Sequence, residues 1–264
     1  MPDATHSLRI MHITDIHFGD ASPACLDAAL TAIETLKPDC IALTGDLTQA
    51  GRRREFLQAG NWLGHITVPI VAAPGNHDTP VYALHARAFS PFGRFGRLGL
   101  DGFWTGGDGL AAVASTNTAR SFQLRRDWSQ GVFDLEHVAA AQAKLEQGAP
   151  TGWRFLACHH PPFTPSEALV RSRTRRSARA LALLKPPSRS IILCGHVHGY
   201  FLSQDPASAI HTLTAPSLAS SRERGAGAGF LLLHVTPEAV AVQRWRHDGA
   251  AFAPDEMITS IAAT

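Results

Sequence analysis

The chain has 264 residues, 45% of them hydrophobic and 17% charged, which is enough to bury a sizeable core and is the balance of a soluble globular protein. A formal net charge of +2 is too small to argue for nucleic acid, and no apolar run approaches the roughly 20 residues that span a bilayer. The first residues carry Asp3 and His6 and no hydrophobic signal region, and Cys25, Cys40, Cys158 and Cys194 show no C-x-x-C spacing. The expectation is a cytoplasmic protein without a membrane partner, one domain over residues 1–264, its cysteines serving as small core residues. Its basic residues are almost all arginine, with Lys37, Lys144 and Lys185 the only lysines.

Residues 8–14 are apolar and β-capable and end in Asp15-Ile16-His17, so a first strand delivers an acid and an imidazole at its C-terminal end. Residues 23–36 follow as a helix with Leu26, Ala29, Leu30 and Ile33 on one face. Residues 40–44 form a second buried strand and are followed by Gly45-Asp46. Residues 52–64 give another helical pattern. The apolar run 68–73 then closes in Pro74 and opens into Gly75-Asn76-His77-Asp78. Strand, helix, strand, helix, strand argues for parallel pairing with right-handed crossovers.

The segment 90–109 is rich in glycine and proline and reads as a long loop with one short strand. Residues 110–115 form a strand and residues 134–147 an amphipathic helix stopped by Gly148. The strand 153–158 ends in His159-His160-Pro161-Pro162, and the strand 190–194 ends in Gly195-His196-Val197-His198. Four shorter strands, at about 200–203, 209–213, 230–235 and 240–245, read as antiparallel. The fold class expected is α/β, a four-layer αββα sandwich of two facing mixed sheets flanked by helices. The strands after residue 200 complete it.

Five strand ends thus carry Asp15 with His17, Asp46, Asn76 with His77 and Asp78, His159, and His196 with His198. Turns ordinarily collect Gly, Ser, Asn and Asp. Imidazole and carboxylate recurring at one structural position point instead to a metal site. Oxygen and nitrogen donors without thiolate suit Mn²⁺, iron or Zn²⁺.

In these blocks the chain resembles the calcineurin-like metallophosphoesterases, whose motifs D-x-H, G-D, G-N-H-D, H and G-H-x-H it carries in that order between residues 10 and 199. Leu43-Thr44-Gly45-Asp46-Leu47-Thr48 and His159-His160-Pro161-Pro162 look closest to the class III cyclic-nucleotide phosphodiesterase branch. The resemblance implies one metal held by Asp15, His17, Asp46 and His198 and a second held by Asp46, Asn76, His159 and His196, with Asp46 bridging. The cofactors implied are two divalent or trivalent ions, Mn²⁺ or Fe²⁺/Fe³⁺ first and Zn²⁺ also compatible. Such a pair would acidify a bridging water and clamp the phosphoryl oxygens during in-line attack. His77 is expected to stabilise phosphate charge or to protonate the leaving alkoxide, with Asp78 orienting its ring.

Blander readings go to His160, as a rigid-turn residue, to His12, as a satisfied core histidine, and to Cys158 and Cys194, whose side chains should point away from the metals. Arg171, Arg173, Arg175, Arg176 and Arg179 read as a solvated helix face, with an electropositive rim for a phosphate substrate as the alternative. The function expected is hydrolysis of a small phosphodiester, of cyclic-nucleotide or glycerophosphodiester type. A nuclease or phosphomonoesterase of the same superfamily is the alternative, and a scaffold is disfavoured by the intact ligand set. Self-association is left open.

Overall fold

The structure is a computed structural model that describes residues 7–121, 129–164, 168, 174–220 and 227–263. Two six-stranded sheets face each other. In chain order their strands are β1 (Leu8–Ile13), β2 (Cys40–Thr44), β3 (Ile70–Ala73), β4 (Phe103–Gly106), β5 (Ala111–Ser115), β6 (Trp153–Ala157), β7 (Ser190–Cys194), β8 (Phe201–Gln204), β9 (His211–Thr214), β10 (Gly229–Val235), β11 (Ala239–His247) and β12 (Phe252–Ala262). The helices are α1 (Pro23–Leu36), α2 (Arg53–Leu63), α3 (Leu84–Phe89), α4 (Gly93–Gly96), α5 (Leu135–Gly148) and α6 (Ser177–Leu181). The first sheet has the order β12-β11-β10-β1-β2-β3 and the second β4-β5-β6-β7-β9-β8.

Both sheets are mixed: in the first the parallel strands β1, β2 and β3 form one side and the antiparallel β10, β11 and β12 the other, and in the second a parallel centre is flanked by antiparallel β4 and β8. Strands β1, β2 and β3 are parallel, as are β5, β6, β7 and β9. Their side chains alternate between two apolar layers. Met11, Ile13, Ile41 and Leu43 pack against α1 and α2, whereas Ile10, Cys40, Ala42, Phe155 and Leu193 fill the space between the sheets. On the far side Ala112, Ala114, Leu156 and Ile192 lie under α5 and α6. This is the four-layer αββα sandwich the periodicity predicts, and strands covered on both faces explain runs such as Cys40-Ile41-Ala42-Leu43 that show no polar alternation.

Local departures from the sequence reading have local causes. The glycine-rich segment 90–109 contains the helical turn α4 as well as the strand β4. Gly148 is the last residue of α5, and Ala149 caps it. Strand β9 runs parallel to β7 and antiparallel to β8, so not every C-terminal strand pairs antiparallel. Strand β12, with Pro254 and Asp255 interrupting its alternation, is an edge strand beside β11, where a proline is tolerated. Among the described residues no helix is long and apolar enough to cross a membrane.

Candidate metal centre

All five blocks emerge where parallel strands end: Asp15 and His17 after β1, Asp46 after β2, Asn76 after β3, His159 after β6, His196 and His198 after β7. Asp15, His17, Asp46, His196 and His198 adopt left-handed backbone, with φ of 51°, 57°, 49°, 70° and 52°. Non-glycine residues seldom do so, and such strain collects at functional turns. Two glycines let the loops touch. A Cβ on Gly75 would lie 2.1 Å from Asp46 Oδ1 and 2.3 Å from Asp46 N, and one on Gly195 would lie 2.0 Å from Thr14 Oγ1 and 2.4 Å from Asp15 Oδ2.

The two buried carboxylates are built alike. Asp15 Oδ2 accepts the Thr14 hydroxyl at 2.8 Å and the His196 backbone N–H at 2.9 Å. Its other oxygen, Oδ1, lies 3.1 Å from His198 Nε2 and 3.7 Å from His17 Nε2. Asp46 Oδ1 accepts the His77 backbone N–H at 2.8 Å, while Oδ2 lies 3.2 Å from His159 Nε2 and 4.0 Å from His17 Nε2. Each acid therefore has one oxygen anchored by hydrogen bonds and the other facing imidazoles. Those close pairs lack hydrogen-bond direction: Asp15 Oδ1 and His159 Nε2 are buried without a hydrogen-bond partner, as is Asn76 Oδ1. His17 Nε2 and His198 Nε2 approach to 3.4 Å. Apart from that histidine pair, buried atoms that converge here without hydrogen-bond partners fit a cation, and the oxygen-and-nitrogen donor set fits Mn²⁺, iron or Zn²⁺.

The donors group as Asp15 with His17 and His198, Asp15 with Asp46 and His159, and His159 with His160 and His196, the candidate atoms of each group lying within 4.8 Å of one another. Two adjoining cation positions fit this arrangement, the group of Asp15, Asp46 and His159 sharing a residue with each of the other two. Asn76 opens the short 3-10 turn Asn76–Asp78 beside Asp46.

The electrostatics also call for positive charge. Burial opposes ionisation of Asp46, yet the facing His159, His77 and His17 hold its carboxyl well below the usual range. Asp15 is likewise held low against its burial, chiefly by His198 and then by His17. Burial opposes protonation of His159, but Asp46 and Asp15 outweigh it and raise the ring to about 10. The His196 ring, which makes no ion pair with a carboxylate among the described residues, is pushed down to about 3 by burial and by His159.

His77 and Asp78 part company. The His77 ring places Nδ1 2.6 Å from the Gln49 carbonyl, so Nδ1 carries the proton and Nε2 is left free. The ring stands edge-on to His17 at a centroid distance of 4.9 Å. The expected Asp78 contact to that ring is absent. Asp78 instead accepts from Leu47 N at 3.3 Å, Thr48 N at 2.9 Å, Gly75 N at 2.9 Å and Thr48 Oγ1 at 3.0 Å. It ties the loop after β2 to the loop after β3, and the ring's orienter is a main-chain carbonyl. Burial and the nearby Asp46 push the Asp78 carboxyl up to about 6 despite those donors.

The remaining candidates have bland surroundings. His160 is buried with Nδ1 2.9 Å from Thr118 Oγ1 and Nε2 2.8 Å from Ser129 O, so both ring nitrogens are engaged. His12 lies between the sheets with Nε2 2.9 Å from Thr44 Oγ1 and Nδ1 unpartnered, so it is only half satisfied. Cys158 and Cys194 belong to the layer under α5 and α6, Sγ atoms 3.6 Å apart. Arg175, Arg176 and Arg179 are exposed; Arg171 and Arg173 lie outside the described residues.

Supporting residues went unread in the sequence. Thr44 O accepts His159 Nδ1–H at 2.8 Å, which leaves Nε2 toward the carboxylates. Ser217 Oγ donates to Asp15 O at 2.6 Å and Leu218 N to Thr14 O at 3.0 Å. A threonine one or two places ahead of a ligand block was a usable signal for Thr14 and Thr44. Ser217 carries none, because its partner is 202 residues away.

Residues 8–200 match the calcineurin-like phosphoesterase family. A glycerophosphodiester phosphodiesterase, GpdQ, of Enterobacter lignolyticus is 27% identical over 229 residues, covering 78% of this chain and 76% of that protein. A probable cyclic nucleotide phosphodiesterase of Synechococcus is 28% identical over 210 residues, covering 74% and 75%. Among solved structures, a dimetal phosphatase from Danio rerio superposes with a TM-score of 0.68 at 11% identity, covering 97% of this chain and 99% of that one. Purple acid phosphatase from yellow lupin superposes with 0.66 at 15% identity, over 99% and 55%. The phosphodiesterase names of the relatives support the class III branch. With the match spanning all five ligand blocks, the chain belongs to the calcineurin-like phosphoesterase family.

Proposed function

We propose that this protein is a dimetal phosphodiesterase that hydrolyses a small phosphodiester of the cyclic-nucleotide or glycerophosphodiester type. The observation that carries the reading is the pair of buried carboxylates, each with one oxygen anchored and the other facing histidines. The names of the relatives in Enterobacter and Synechococcus support the diester class.

Asp15, His17, Asp46 and His198 would hold one cation, and Asp46, Asn76, His159 and His196 the other. Mn²⁺ and iron suit these donors first, Zn²⁺ also. When bound, the two ions supply Lewis-acid polarisation of the phosphoryl group and an acidified water as nucleophile. The chain's own residues do the rest. The anchoring bonds to Asp15 Oδ2 and Asp46 Oδ1 fix both carboxylates before substrate arrives, so little reorganisation accompanies the reaction. His77 is held through Nδ1–H on the Gln49 carbonyl, so Nε2 is where it takes up a proton and hands it to the leaving alkoxide oxygen.

Hydrolysis of bis-p-nitrophenyl phosphate by Mn²⁺-loaded protein, compared with Asp46→Ala, tests the reading. Turnover by the wild type that the variant lacks supports it, and equal rates overturn it. A panel of 3′,5′- and 2′,3′-cyclic nucleotides, glycerophosphodiesters and phosphomonoesters then separates the substrate classes.

A further inference from the structure

The Thr14 side chain is fully buried beneath the carboxylates. Its single hydroxyl faces two acceptors, Asp15 Oδ2 at 2.8 Å and Thr44 O at 3.0 Å. The first belongs to the acid grouped with His17 and His198. The second is the carbonyl that takes the Nδ1–H of His159 at 2.8 Å. One side chain that is not a metal ligand thus touches the support of both halves of the centre. Gly195 packs over it so closely that a Cβ there would lie 2.0 Å from Thr14 Oγ1, which leaves the hydroxyl little room to turn elsewhere.

We infer that Thr14 is a positioning residue for the metal centre: its hydroxyl keeps Asp15 presenting a single oxygen toward His17 and His198 and ties that half to the carbonyl that orients His159. A free carboxylate can rotate and offer either or both oxygens to a cation. Asp15 is prevented because Oδ2 already accepts two bonds, one from the His196 backbone and one from Thr14. The backbone N–H survives any side-chain change, whereas the hydroxyl bond is specific to residue 14. Valine has the shape of threonine without the donor, so it removes this bond with little change in packing. Partners that orient metal ligands commonly change metal affinity by about 10- to 100-fold when removed.

The inference rests on the dimetal reading above, and its test keeps the two apart. Isothermal titration of metal-free protein with Mn²⁺, with the electron paramagnetic resonance spectrum of the loaded protein, is compared for wild type, Thr14→Val and Thr14→Ser. The expected result is two Mn²⁺ bound by the wild type, affinity for one of them lowered about 10- to 100-fold in Thr14→Val with an altered spectrum, and both restored in Thr14→Ser. Thermal unfolding without metal checks the fold. If the valine variant does not fold, Thr14→Ala removes the same hydroxyl without a new methyl and carries the same comparison. A hydroxyl-free variant with wild-type affinity and spectrum, or a serine variant as weak as valine, overturns the positioning role alone. Wild-type protein that takes up none of Mn²⁺, Fe²⁺ and Zn²⁺ overturns both readings.

Discussion

His77 donates its backbone N–H to Asp46 Oδ1 at 2.8 Å, so the residue whose ring is free for proton transfer also anchors, through its main chain, a carboxylate of the metal centre. The whole Gly75 to Asp78 turn serves that acid. Gly75 leaves room for it, and Asp78 holds the Leu47 and Thr48 amides that follow it in the chain.

Gly75→Ala is expected to be costly, because the new methyl would meet Asp46 N at 2.3 Å and Asp46 Oδ1 at 2.1 Å. Backbone cannot yield as a flexible side chain can. We expect a loss of about 1–3 kcal/mol in urea unfolding, together with loss of bound metal by elemental analysis. Unchanged metal content would show that the two loops can part without harm.

His77→Ala removes the ring and keeps the backbone donor. Metal content should therefore remain, while kcat falls by roughly 10²–10⁴-fold on diesters with poor leaving groups and much less on p-nitrophenyl esters. Asn76→Ala deletes the unpartnered Oδ1 and should weaken one cation instead. Equal metal loss in both variants would place His77 among the ligands.

Chelation should separate ligand binding from fold. A cation that binds only the native state raises stability by RT ln(1 + [L]/Kd), about 2.7 kcal/mol at a hundredfold excess over Kd. The melting temperature is expected to fall with EDTA, to recover with Mn²⁺ and, in Asp46→Ala, to respond to neither. Differential scanning calorimetry reads all three.

Acid sensitivity follows from His12, which burial holds down at about 3 against an ordinary 6.5. Between those values the unfolded chain binds the proton and the folded protein does not, so stability is lost as pH falls through this window. The slope is about 1.4 kcal/mol per pH unit for one such group. His12→Gln should be less stable at pH 7 than the wild type yet show a shallower decline between pH 6 and pH 4. Parallel declines in urea midpoint would count against the assignment.

Arg154 offers a contrast remote from the ligands. Its guanidinium donates from Nε to Ala149 O at 3.0 Å, from Nη2 to Pro150 O at 2.8 Å, and from Nη1 to Lys185 O. Arg154→Met should cost roughly 1–3 kcal/mol, since the carbonyl of the buried Ala149 loses its side-chain donor, whereas Lys185 O keeps Gln142 Nε2 and Pro150 is exposed. Specific activity per folded molecule is expected to be unchanged, as measured below the melting transition.

Much of this architecture was readable because the informative residues sit at strand ends. Buried parallel strands write themselves as short apolar runs such as Cys40-Ile41-Ala42-Leu43, and polar residues that break those runs mark the edge where chemistry gathers. Strand β12 was not readable, because Pro254 and Asp255 mimic a turn and only its neighbour β11 makes the segment a strand. The Asp78 contacts were invisible for a different reason. Sequence adjacency suggested a partner in His77, but Asp78, two places past the ligand Asn76, points back toward the preceding loop, and most of the donors it meets there are main-chain amides that no residue type announces. The same holds for Gln49, whose carbonyl and not its side chain holds the His77 ring.

The left-handed backbone at Asp15, His17, Asp46, His196 and His198 ties durability to use. At each of these positions glycine would relax the main chain, a relief of up to about 1 kcal/mol after its own entropy is counted, and would also disperse a crowd of buried charge. That relief is smaller than what the same side chains return, since Asp15 and Asp46 accept buried donors and a bound cation contributes about 2.7 kcal/mol at a hundredfold excess over Kd. Heat selection with Mn²⁺ present should therefore leave these five turns unchanged, and only heat selection in chelator removes that protection.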